Sequence, residues 1–88
     1  MLNTSKYQFI EVKKKCDRYP GTRHYCRFST DSKGEAEGRF KRDLLKGKVW
    51  ANLLTADHAY SINTDDIESW RWVPEEYIKE KLKYFSTK

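Results

Sequence analysis

The chain has 88 residues, 38% of them hydrophobic, and a formal net charge of +5. That length bounds it to a single domain, 1–88, near the low end of what can bury a core without metals or crosslinks. No apolar run approaches the ~20 residues that span a bilayer, which excludes a membrane-spanning helix.

Four Phe, three Trp and six Tyr compensate for the small size, because each buried ring removes a large apolar area from water. Met1–Lys6 lacks the apolar stretch of a signal peptide, so a cytoplasmic protein is expected. Cys16 and Cys26 are then free thiols in a reducing compartment, although a bridge across the hairpin between them is geometrically conceivable. The charge is unevenly divided. Residues 1–48 hold thirteen Lys/Arg against six Asp/Glu, and residues 49–88 hold five against seven. A basic first half suits a polyanion partner, nucleic acid first, with a solubilising surface as the plain alternative.

Residues 1–5 are polar and expected to fray. From Lys6 to Lys14 the period is two, with Ile10 and Val12 on one side and Tyr7, Phe9, Glu11 and Lys13 on the other. Tyr19-Pro20-Gly21 is a turn signal, since Pro fixes φ and Gly accepts positive φ. A second strand, about Arg23–Ser29, sets His24, Cys26 and Phe28 against Arg23, Tyr25 and Arg27. Ser32 with Glu35 fits a capping box for a first helix, and Gly47 is its stop. At about 100° per residue from Ala36, Phe40 and Leu44 fall within about 80° and make a narrow apolar stripe. Arg39, Arg42 and Lys46 make a basic ridge well round from it. Gly34 and Gly38 weaken this helix by roughly 1 kcal/mol each relative to Ala, so it depends on packing.

A third strand is expected over Lys48–Thr55 and a fourth over Ala59–Asn63. Thr64-Asp65-Asp66 is a polar turn, and Ile67–Val73 is a fifth strand with Trp70 and Trp72 on one face. Pro74, Glu75 and Glu76 open a last helix with favourable dipole chemistry, burying Tyr77, Ile78, Lys81, Leu82 and Phe85. The order ββαβββα predicts an α+β fold: one antiparallel sheet of four or five strands with both helices on one face. The other face is left open to solvent or a partner.

Two surfaces carry chemistry. The open face offers Tyr7, Phe9 and Tyr25 interleaved with Lys13, Arg23 and Arg27, a pattern suited to stacking single-stranded bases and holding phosphates. The ridge Arg39, Arg42 and Lys46 suits a phosphate backbone, because neutralising phosphates releases counterions. With Lys14, Lys15 and Arg18 these segments are expected to converge on one continuous polyanion-docking patch. Cys16, His24, Cys26 and His58 do not have the spacing of a zinc site, and no metal or other cofactor is expected. Asp65, Asp66 and Glu68 fit a turn and strand start, and could also meet the basic half of a second copy. No nucleophile motif, phosphate loop or paired-carboxylate spacing points to an enzyme. A metal-independent ribonuclease using His24 or His58 is one alternative. A protein inhibitor that fills a nuclease groove directly is another.

The strand Tyr7–Lys14, the helix entry Ser32-x-x-Glu35-Ala36 and the hairpin Val49–Asn63 resemble the layout of small phage-encoded counter-defence proteins. That resemblance implies inhibition of a host nuclease, either an RNA-cleaving toxin–antitoxin system or a CRISPR effector. It carries over no functional residue. The expectation is a non-enzymatic RNA-binding protein of the host cytoplasm, whose partners are RNA or other nucleic acid and a host nuclease or toxin, not a membrane. Two copies would double its basic surface.

Overall fold

The computed structural model describes residues 7–19, 21–52 and 59–86. The elements are β1 (Gln8–Lys14), β2 (His24–Phe28), α1 (Lys33–Leu45), β3 (Lys48–Asn52), β4 (Ala59–Asn63), β5 (Ile67–Val73) and α2 (Glu75–Ser86). A 3-10 turn at Thr64–Asp66 links β4 to β5. The fold is α+β, with antiparallel strands and two helices. Expectations for residues 1–6, Pro20, the stretch 53–58 with His58, and the side chains of Leu82 and Phe85 lie outside the described residues. Among the described residues no helix is long and apolar enough to cross a membrane.

Local chemistry sets the turns and caps. Gly21 has φ 84°, and the Thr22 N–H donates to the Tyr19 carbonyl at 3.3 Å, closing the turn at the glycine. Ser32 Oγ accepts from the Glu35 N–H at 3.2 Å. The return half of the capping box is relayed: the Ser32 N–H donates to Thr30 Oγ1 at 3.1 Å, whose hydroxyl donates to Glu35 Oε2 at 3.2 Å. Gly47, at φ 88°, ends α1 by donating to the Leu44 carbonyl at 3.1 Å.

The strands form two antiparallel ladders. β1 lies between β2 and β5, and β3 pairs with β4 from Lys48↔Asn63 to Asn52↔Ala59. The ladders meet at the pair Tyr25↔Asn52. β1 buries Phe9, Ile10, Glu11 and Val12 in succession, the mark of a strand covered on both faces. On one side Ile10, Val12, Cys26, Val49, Ala51 and Ile62 pack with Phe40 of α1. There the Phe40 ring lies 4.8 Å from Trp70 and 6.4 Å from Phe28. On the other side Phe9, Tyr25 and Val73 pack with Ile78 of α2.

The helices therefore stand on opposite faces, which corrects the expectation that both cover one. The cause is β5. It pairs with the far edge of β1 and places Val73 on the Phe9 side, so the chain leaving Val73 through Pro74 lays α2 over the rings that α1 does not reach. Cys16 is exposed and Cys26 buried, both as free thiols. Burial, helped by Asp43, pushes the Cys26 thiol up to about 12.

Candidate polyanion interface

Glu11 organises the α2 face. It stands directly across from Tyr25 on β2 and Arg71 on β5, and directly opposed residues share a face within side-chain reach. The Tyr25 hydroxyl donates to Glu11 Oε2 at 2.9 Å, and Arg71 Nε donates to Oε1 at 3.0 Å. Tyr77 of α2 donates to Oε2 at 2.7 Å. The residue is 6% exposed, so a carboxylate here needs those donors. Burial would raise its pKa, but the hydrogen bonds from Tyr77, Tyr25 and Arg71 outweigh it and hold the carboxyl below its usual range. Tyr25, in turn, is pushed far up, by burial first and then by Tyr77 and Glu11.

A pocket of about 400 Å3 opens above this floor. Lys13 of β1, Arg23 before β2, Arg71 of β5 and Lys81 of α2 line it, with Tyr77 as a wall and Gly21 at the rim. Arg71 holds Glu11 through Nε while its side chain stays 63% exposed, and its guanidinium lies 5.4 Å from the Tyr77 ring centre. Lys13 reaches Glu68 at 2.8 Å, and that hydrogen bond, with Arg23 adding, keeps the Glu68 carboxyl below its usual range. Four cations against Glu11 on the floor and Glu68 beside Lys13 leave excess positive charge facing solvent. Such a pocket suits a phosphate group, whose oxygens take charge-assisted hydrogen bonds from Arg and Lys.

The same face continues past the pocket. Arg27 follows Tyr25 by two residues, and its guanidinium lies 5.1 Å over the Tyr7 ring. On β3, Val49 and Ala51 turn toward α1, so Lys48 and Trp50 turn away from it. Trp50 is 56% exposed, with the Lys48 ammonium 5.9 Å from its ring.

The expected single patch is not what forms. Lys13 and Arg23 meet at the pocket, and Arg27 shares their face. Lys14 lies on the opposite side of β1, half-buried, 4.0 Å from Asp17. Lys15 and Arg18 are exposed in the loop before β2, Arg18 lying 5.7 Å over Tyr19. Arg39 and Arg42 belong to α1 and Lys46 is its C-cap, across the strands from the pocket. Ala36, Phe40 and Leu44 seat that helix on the Ile10 side, and Arg39 is tied to Glu35 one turn back.

The open aromatic face is also corrected. Phe9 and Tyr25 are buried under α2, and the Tyr25 hydroxyl is committed to Glu11, so Tyr25 is not a stacking platform. Among the described residues, Trp50 of β3 is the large exposed ring on this side. Arg71, Tyr77, Lys81 and Glu11 were missed as site residues. Glu11 left a signal, a lone acid inside an apolar strand, which demands donors from elsewhere.

Of the two histidines, His24 lies among the described residues and is also engaged. His24 Nε2 lies 3.2 Å from Asp17 Oδ1 and Nδ1 lies 2.6 Å from the Tyr60 hydroxyl. With the ring proton on Nε2, His24 donates to Asp17 and accepts from Tyr60. Comparison with family models, curated proteins and solved structures found no match.

Proposed function

We propose that this chain is a non-enzymatic binding module for a phosphate-bearing polymer, RNA ahead of duplex DNA, docked on the α2 face. The observation that supports it is the pocket at which Lys13, Arg23, Arg71 and Lys81 arrive from four separate segments. The carboxylate beneath them is already satisfied by its own donors. On this view the five strands act as one sheet, β4-β3-β2-β1-β5, so the pocket, Arg27 and Trp50 lie along one surface. A single strand fits that surface better than a duplex. Its phosphate enters the pocket while an unpaired base stacks on Trp50, a contact of ~1–3 kcal/mol per base. The biological setting proposed is a phage or mobile element acting against a host nuclease.

Fluorescence anisotropy with a labelled single-stranded RNA tests this. The expected result is saturable binding, tighter than for the matching duplex, with log K falling linearly as log salt rises. Failure to bind RNA, together with tight capture of a nuclease that survives ribonuclease treatment and moderate salt, would replace it with a protein-inhibitor function.

A further inference from the structure

The two outer strands carry different chemistry along their edges. β5 presents Glu68 and Arg71, and the register of its pairing shifts at Lys13/Lys14. Charges and register irregularities are what natural sheets use to stop edges from pairing. β4, Ala59-Tyr60-Ser61-Ile62-Asn63, has no charge, no proline and an unbroken register with β3. Among the described residues, β3 is its one strand partner.

The hydrogen-bond phase of β4 can be worked out. The Thr64 N–H donates to the Gly47 carbonyl at 3.0 Å, one step beyond the pair Lys48↔Asn63. Bonded and non-bonded pairs alternate in an antiparallel ladder. Ile62 and Tyr60 therefore turn their backbone groups toward β3, and Asn63, Ser61 and Ala59 turn theirs outward. Those outward residues have small, exposed side chains.

We infer that β4 is a self-pairing edge, joining two copies of this chain β4 to β4, antiparallel, about a two-fold axis at Ser61. Ser61 then faces Ser61 of the second copy, and Ala59 faces Asn63 of the second copy, each exchanging N–H and C=O. No like charges oppose one another across this seam, because the strand carries none. The axis runs perpendicular to the strands' plane, so both α2 faces, with their cationic pockets, end on the same side. This goes beyond the polyanion proposal and does not depend on it. A five-residue seam is small beside an obligate dimer interface, so the association is reversible and concentration-dependent.

Amide hydrogen exchange with sedimentation velocity, from low micromolar to millimolar protein, tests it. As the dimer forms, molar mass doubles and the Ala59, Ser61 and Asn63 amides slow at least about tenfold, while Tyr60 and Ile62 are protected throughout. Ser61→Lys, which puts like charges on the axis, is expected to stay monomeric. Leu45→Lys, at an 89% exposed leucine on α1, is expected to dimerise normally. A wild-type monomer at every concentration overturns the inference. So does protection of the outward amides already present in the monomer, or a dimer that Leu45→Lys dissolves and Ser61→Lys does not.

Discussion

The α1 side and the α2 side share β1 and use it differently. Toward α1, β1 offers Ile10 and Val12, and the helix replies with Phe40 over a dry apolar cluster. Toward α2 the same strand offers Phe9, then Glu11, then Lys13, and the apolar cluster gives way to an ionic floor and an open pocket. One face closes to hold the fold. The other is half closed, which leaves charged groups in fixed positions where a ligand can reach them.

If the α1 side is the structural one, its centre should be the costliest place to cut. Phe40→Ala is expected to lose about 3–5 kcal/mol, from transfer and cavity terms together, read by urea unfolding. A loss under about 1 kcal/mol would mean that the burden of stability is shared otherwise.

On the α2 side, Glu11→Ala strands the buried Tyr25 hydroxyl and is expected to cost about 2–3 kcal/mol at pH 7. Because the folded-state pKa of Glu11 is depressed, its contribution is complete above the unfolded value of about 4.3 and fades as pH falls through the lower, folded one. Wild type is thus expected to lose stability on acidification more steeply than Glu11→Gln, compared by urea midpoints at neutral and acid pH. Parallel curves would show that the carboxylate contributes no such term.

Trp50→Ala sharpens the division further. The ring is more than half exposed, so stability should change by roughly 0.5 kcal/mol or less, while RNA affinity drops by about 1–3 kcal/mol through lost stacking. The reverse pattern would make Trp50 a packing residue.

What the sequence disclosed was local. The bounds of β4 and β5, the glycine turn, the Ser32 cap and the Gly47 stop all follow from neighbours a few residues apart. The pairing of β5 with β1 does not, and the side on which α2 lands follows from it. Phe9 and Ile10 are both apolar and adjacent, so period-two logic had to send one of them to solvent, whereas β1 buries both. The donors to Glu11 lie 14, 60 and 66 residues away, beyond any motif. Helical spacing sets Arg39 and Arg42 on one side of α1. Which side of the strands it would occupy was a tertiary matter.

The most direct measurement sets the two basic surfaces against each other. Single-stranded RNA affinity and its salt slope are determined for Arg23→Ala/Lys81→Ala at the pocket and for Arg39→Ala/Arg42→Ala on α1. Docking at the pocket requires the first pair to lose affinity, with a salt slope shallower by about one to two phosphate contacts, and the second to bind much as wild type does. Equal losses, or a loss confined to the α1 pair, would contradict it.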